Sequence, residues 1–325
     1  MNARLAKLVL GLITASWIAS AAVAQESWPT RQIQIIVPLP AGSAADTVAR
    51  LVGSKLSERL RQTVIVINRD GASGTIGTQQ VAKAEPDGYT LGLATSTTLV
   101  TAPILDRRIP YDAERDFAPV AMIGYSPYVL VTNPSVPAKT VTEFIALAKA
   151  KPGMLTYSSV GEASLARLAA ELLANMSGIS LVQVPYKSST QAVVDVLGGR
   201  IDAQFGILST THQYIKEGKL NALGVTTLKR VPDFPDMPTL DEMGLPGYEA
   251  TLWLGLIAPS KTPIPVTTRL NTEVNAILVE PSVRTALAAQ AIVDDPQSRQ
   301  GFSETIRKDL AKWRDLAVAA GLMLR

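Results

Sequence analysis

Two short loops in this sequence carry small polar residues of the kind that can hold an anion. The first is Pro40-Ala41-Gly42-Ser43, set between a β-rich run and a helical stretch, with Asp46 near the helix start. The first N–H groups of a helix have no intrahelical partners, and the macrodipole places about half a positive charge there. A glycine lets backbone come close to a ligand, so a carboxylate or phosphate can be held without lysine or arginine. The plainer reading is a structural turn in which Asp46 serves the dipole. Ser158-Ser159-Val160-Gly161-Glu162-Ala163-Ser164 repeats the arrangement, with Arg167 one turn into its helix. There the plainer reading is a solvated helix face. A third glycine-rich loop, Asp70 to Gly77, ends in no Gly-Lys-Ser/Thr and lacks Gly-x-Gly spacing, so it is neither a P-loop nor a dinucleotide fingerprint.

Catalytic chemistry has little to work with. Cysteine is absent, which removes disulfides, thiolate catalysis and zinc ribbons. His212 is the one histidine, so histidine-rich metal sites are excluded and any serine triad would need it as base. It reads as a surface residue near a turn. No Gly-x-Ser-x-Gly elbow is present, and Asp294-Asp295 lies in a turn-like segment with no cleft in prospect. The chain reads as a binding protein, not an enzyme, and no cofactor or metal is implied. A secreted hydrolase is the rival of another class, and it requires His212 in a cleft.

The loops need elements to position them. Gln32 to Val37 is a β-rich run closed by Pro38. Ala44 to Leu60 shows helical spacing in Val48, Leu51, Val52, Leu56 and Leu60. Thr63 to Asn68 is a second strand, Gly77 to Ala84 a helix, and Thr90 to Ala94 a third strand that ends at Thr95-Ser96. Tyr128 to Thr132 is a strand and Val141 to Lys149 a helix. The pattern then restarts. Strands are expected at Leu155–Ser158, Leu181–Val184, Ala203–Gly206 and Leu220–Thr226, with helices at Ser164–Met176 and Thr190–Leu197. Arg230 to Pro246 reads as a proline-rich connector with a short helix near Leu240–Met243. An apolar strand, Leu252 to Ala258, and long helices at Val266–Val279 and Phe302–Ala320 close the chain. Two βαβ-rich units in tandem predict two α/β lobes, and ligands collect beyond the carboxyl ends of such strands.

The 325 residues suit two domains, with 47% hydrophobic and 18% charged residues, as in ordinary globular proteins. The charge is +3, from 31 basic and 28 acidic residues, and two of the basic ones are Arg4 and Lys7. A balance so near zero gives no reason to expect nucleic acid as partner. Met1 to Ala24 reads as a signal peptide: a positive start, an apolar run from Leu8 to Ala22, and Ala22-Val23-Ala24 as the cleavage pattern. The mature chain then begins near Gln25, outside the cytoplasm.

Ile33 to Arg50, Val66 to Gly77, Val81 to Leu91, Tyr157 to Glu171, Val184 to Lys187, Gly198 to Phe205, Pro235 to Gly244 and Trp253 to Pro259 together resemble the Bug-type receptors. These are the substrate-binding proteins of tripartite tricarboxylate transport systems. The resemblance covers nearly the whole mature chain. It implies an α/β periplasmic binding protein of type II-like form, two βαβ lobes joined by a two-crossing hinge around a cleft. Lobe one would combine residues 25–126 with 228–325, and lobe two would be 127–227. It also implies a ligand held by Leu39, Ala41, Gly42, Ser43 and Asp46, with Thr95 and Ser96 beside them. From lobe two come Ser158, Ser159, Gly161, Ser164, Tyr186 and Lys187, then Asp202 and Phe205, the aspartate toward the distal part of the ligand. The implied ligand is a small carboxylate: a di- or tricarboxylate, an amino acid or an aromatic acid. The implied partner is a membrane permease, or in a second reading a sensor kinase, and the carrier is expected to be monomeric. The family usually has glycine at Ser43, Ala163 and Ser188, and histidine at Arg167. Ser43 and Ser188 add hydroxyls, Ala163 narrows the approach, and Arg167 would favour a second anionic group.

Overall fold

A computed structural model describes residues 28–161, 163–232 and 234–322. The expected leader, Met1–Ala24, lies outside the described residues. Strands β1 (Ile33–Val37), β2 (Val64–Asn68) and β3 (Thr90–Thr95) are parallel, with β1 between the other two. Helix α1 (Ala44–Leu60) links β1 to β2, and α2 (Thr75–Ala82) leads toward β3. The helical spacing read from the sequence buries Val48, Val52, Leu56 and Leu60 against this sheet, while Leu51 stays half-exposed.

β4 (Phe117–Thr132) is a 16-residue strand of which only the last five residues were expected. Pro119, Gly124 and Pro127 look like strand breakers in sequence. In the structure the register shifts between Pro119 and Ala121 and again between Met122 and Gly124, so irregular pairing accommodates two of them. After β4 come α3 (Val141–Ala150), β5 (Thr156–Val160), α4 (Leu165–Ser177), β6 (Val182–Tyr186), α5 (Ser189–Leu197), β7 (Ala203–Ile207), α6 (Leu208–Lys216) and β8 (Asn221–Val225). The chain closes with β9 (Thr251–Pro259), α7 (Ile264–Leu278), α8 (Pro281–Ala288), β10 (Val293–Asp294) and α9 (Arg299–Ala319). Helices α6 and α8 were not expected, and the short helix near Leu240 is a run of turns.

The strand order is β2-β1-β3-β9-β4-β7-β5-β6, with β8 and β10 also paired to β4. The first half of β4 pairs antiparallel with β9 in lobe one, and its second half pairs antiparallel with β7 and β8 in lobe two. β4 is therefore one crossing between the lobes. The other is knotted beside it. The Thr226 N–H donates to the Tyr128 carbonyl at 2.9 Å, and the Ala250 N–H donates to the Thr226 carbonyl at 2.9 Å. The fully buried Thr226 hydroxyl lies 2.6 Å from the Ala250 carbonyl and 3.1 Å from that of Tyr128.

The expected lobe boundary at 227/228 is corrected by the packing of the connector. Thr239 bridges Val225, the Tyr248 hydroxyl donates to the Ala169 carbonyl of α4 at 2.7 Å, and the Tyr248 ring stacks on Phe205. Residues 231–250 thus cover lobe two, and the return to lobe one is at Ala250–Thr251. One apolar cluster runs through both lobes, from Ile36, Ala94, Trp253 and Trp313 to Leu165, Phe205 and Tyr248. Burying each such side chain is worth about 1.5–3 kcal/mol. Among the described residues no helix is long and apolar enough to cross a membrane.

Replacing Thr226 with Val removes the hydroxyl that serves the two hinge carbonyls at nearly constant volume. The expected cost is about 1–3 kcal/mol of unfolding free energy, read from the urea midpoint.

Candidate functional site

Leu39, Ala41, Gly42 and Ser43 lie beyond the carboxyl end of β1, next to Thr95 and Ser96 at the end of the adjacent β3. Ala41 and Gly42 are exposed. Gly42 has a φ of +80°, a backbone conformation that glycine adopts without strain. The Ser43 side chain caps α1, accepting from the Asp46 N–H at 3.2 Å. The Asp46 carboxylate is buried and fully engaged. One oxygen accepts from the Gly42 N–H at 2.9 Å and Arg50 Nε at 3.0 Å, and the other from Asn68 Nδ2 at 2.9 Å. Asn68 also donates to the Leu39 carbonyl at 3.1 Å. Asp46 is thus a tie that shapes the loop rather than a ligand contact. The Gly42 N–H points at it, and the first-turn N–H groups of Ala44 and Ala45 have no acceptor within the helix. Burial raises the Asp46 carboxyl, but the Arg50, Gly42 and Asn68 bonds outweigh it and hold the group below its ordinary value.

The Asp70–Gly77 loop is a support. A side chain at Gly74 would meet the Thr98 side chain and the Pro38 carbonyl, so the loop packs directly under the first one. Thr95 and Ser96 are buried. The Thr95 hydroxyl accepts from the Thr98 N–H at 3.2 Å, and Ser96 Oγ lies 3.5 Å from the Thr251 carbonyl at the hinge. They form the floor between loop and hinge.

In lobe two, Gly161 follows β5, and its N–H donates to the Tyr186 carbonyl at the end of β6 at 3.0 Å. Ser159 and Ser164 both donate to the Gly161 carbonyl at 3.2 Å, and Ser164 caps α4. Arg167 is half-buried one turn into α4, where its charge opposes the burial-driven rise of the Glu171 carboxyl. Ser158 lies opposite Gln204 in the β5–β7 register. Both are buried, and Ser158 Oγ and Gln204 Oε1 find no partner among the described residues. Gln204 Nε2 lies 3.5 Å from Ser189 Oγ in the first turn of α5, and Ser189 Oγ lies 3.4 Å from Thr210 Oγ1 in α6. This polar patch was missed, because Gln204 and Thr210 sit in runs that read as strand and turn.

Three lobe-two expectations are corrected. Asp202 precedes β7 and so lies at the amino end of the sheet. Its carboxylate accepts from the Thr156 N–H at 2.7 Å and the Thr156 hydroxyl at 2.8 Å, far from the strands' carboxyl edge. Phe205 points into the shared core against Tyr248, because alternate residues of a strand face opposite sides. The Tyr186 hydroxyl donates to Asp195 of α5 at 2.7 Å, and burial together with that carboxylate pushes it up to about 12, so only the strand end serves the loop. Lys187 is exposed beyond it. His212 lies within α6, its half-buried ring edge-on to Phe234 at 6.0 Å, and not near a turn. The two loop systems meet across the lobes where the Thr101 hydroxyl donates to the Ala163 carbonyl at 2.8 Å.

Residues 48–322 match the profile of the tripartite tricarboxylate transporter family receptors. The chain belongs to this family. The Bug-type relative BugT of Bordetella pertussis is 35% identical over 329 residues, covering all of both chains. The solved structure of R. palustris Rpa4515 with adipate is 34% identical, covers 90% of this chain and 98% of that one, and superposes with a TM-score of 0.80. MatC from Rhodopseudomonas palustris with bound malate is 29% identical, covers 89% and 99%, and gives a TM-score of 0.76. The chain is thus a Bug-type solute-binding receptor with the two-lobed α/β fold of periplasmic binding proteins. Ser43 supplies the α1 cap, and Ser188 likewise caps α5 by accepting from the Gln191 N–H at 3.3 Å.

Asp46→Ala should lower the unfolding free energy by about 1–3 kcal/mol at neutral pH, since three donors lose their acceptor. A carboxyl held below its unfolded value stabilises above that value and loses the contribution as pH falls. The gap between wild type and variant in urea titrations should therefore shrink below about pH 4.

Proposed function

We propose that this receptor captures a small dicarboxylate between its lobes after export to the periplasm and delivers it to a membrane permease. The observation that carries the reading is a capped helix start in each lobe, α1 behind Ser43 and α4 behind Ser164, with the Thr101–Ala163 bond linking the lobes beside the second. Each end offers backbone N–H groups and a partial positive charge. A molecule with a carboxylate at each end satisfies both, and hinge closure brings the second end to it. Relatives bind adipate and malate, acids of this class. The polar patch of Ser158, Gln204 and Ser189 supplies hydroxyl and amide groups for water or ligand oxygens in lobe two. His212, packed on Phe234 within lobe two, offers no base to a serine, which favours binding over hydrolysis.

A thermal-shift screen of the mature chain against mono-, di- and tricarboxylates tests this. A ligand at about a hundred times its Kd adds about 2.7 kcal/mol, a rise of about 2–4 °C for a protein of this size. The expected result is a selective rise with dicarboxylates. Gly42→Val should abolish it with circular dichroism unchanged, because Val cannot hold the left-handed φ that shapes the loop. A flat response to every acid, from protein stripped of bound ligand, would refute the reading.

A further inference from the structure

Lobe two carries a polar focus apart from the α4 start. Gln204 is 2% exposed and lies on the sheet face that α5 and α6 cover, the face it shares with Val131 of β4. A Cβ on Gly206 would stand 3.5 Å from the Gln204 Cδ and 3.6 Å from its Oε1, so the amide lies over Gly206, toward the carboxyl end of β7. Two helices begin at that end. α5 starts behind Ser188 and α6 behind Ile207, the latter with no side-chain cap, and each start carries a partial positive charge. The hydrogen bonds around the amide do not balance. The Thr210 hydroxyl commits its proton to the Ile207 carbonyl at 2.9 Å and so presents only lone pairs. Ser189 Oγ lies 3.4 Å from Thr210 Oγ1 and 3.5 Å from Gln204 Nε2, long for bonds between such groups. Gln204 Oε1 has no donor among the described residues, and Ser158 Oγ, opposite it on β5, has no partner there either. The patch is short of a donor. A carboxylate only accepts and cannot supply one. An ammonium donates, but two helix starts repel it, and the acids Asp195 and Asp202 are engaged with Tyr186, Arg200 and Thr156. A neutral hydroxyl donates and accepts at once, and it pairs with the amide whichever way round that lies.

We propose that Gln204 is a specificity-determining residue of lobe two, and that it selects a dicarboxylate carrying a hydroxyl on its carbon chain. The proposal rests on the reading of the lobes as closing on a dicarboxylate. The α1 and α4 starts take the two carboxylates. The chain hydroxyl enters between Ser189, Thr210 and the Gln204 amide, whose long contacts part to admit it. There it donates to Gln204 Oε1 or Thr210 Oγ1 and accepts from the Ser189 or Ser158 hydroxyl. An unsubstituted dicarboxylate leaves these groups unpaired beneath the closed lobe, and so loses affinity without any steric clash.

The test is calorimetric titration of the mature chain, stripped of bound ligand, with two pairs of acids that differ by one hydroxyl: succinate with malate, and adipate with hydroxyadipate. The hydroxylated member of the pair that fits should bind at least about tenfold more tightly, the worth of one buried polar group left unpaired. Gln204→Met keeps the side chain's bulk but removes both amide atoms. It should erase most of that preference by raising the Kd for the hydroxylated acid. Ser189→Ala, at the half-buried rim, should shift the ratio in the same direction. Equal wild-type affinity for both members of a pair, or a preference that survives Gln204→Met, would overturn the proposal. If circular dichroism shows that Gln204→Met does not fold, the wild-type ratio and Ser189→Ala decide. A protein that binds adipate or succinate and favours neither hydroxylated partner loses the hydroxyl selection and keeps the capture reading. A protein that binds none of the four acids loses both.

Discussion

The molecule depends on one strand that belongs to two sheets. β4 pairs with β9 and β10 before Pro127 and with β7 and β8 after it, so every other element is placed relative to this backbone. Its hydrogen-bond ladder has to be satisfied on both sides in both lobes. At the changeover the burden falls on Tyr128, Thr226 and Ala250, whose N–H, carbonyl and hydroxyl groups close the gap between the end of β8 and the start of β9. The carboxyl ends of β3 and β7 both lie beside that knot, with Thr95 opposite Leu254 and Ile207 opposite Tyr128.

The loops are prepared before any ligand arrives. Asp46, Asn68 and Arg50 form a closed network behind Gly42, and Ser159 and Ser164 converge on the Gly161 carbonyl in the other lobe. Side chains therefore organise the backbone, and in the proposed reading its N–H groups are what meets the ligand. This division suits a carrier of small acids. Binding through N–H groups and helix ends adds no fixed cation and discriminates by shape and spacing.

Much of this was legible in the sequence. The α1 spacing and the parallel βαβ start follow from local residue patterns, whereas Ser43, read as a pocket hydroxyl, caps α1 instead. What was not legible involves distance along the chain. Pro119, Gly124 and Pro127 masked β4, because the register shifts that absorb Pro119 and Gly124 need β9, more than a hundred residues away. Phe205 and Asp202 stand in a matching motif, but the motif does not say which side of the strand faces the core or which end of the sheet faces the cleft. Asp46 looked like a ligand neighbour until Asn68 and Arg50 were seen to claim its oxygens. The proline-rich segment after β8 gave no local sign that Tyr248 anchors it to lobe two.

The chain path also sets an order of assembly. Lobe two is one unbroken stretch from Tyr128 to Ala250, and its strands pair within it. Lobe one is split. The edge of β3 stays unpaired until β9 arrives from the far side of lobe two, since Gly92 to Thr95 register with Leu254 to Ile257. Pairing across so long a loop is the slow step in a folding chain, because closure entropy must be met before the contact rewards it. The sheet of lobe one is therefore complete only once β9 has joined β3, and until then the edge of β3 is open to other strands.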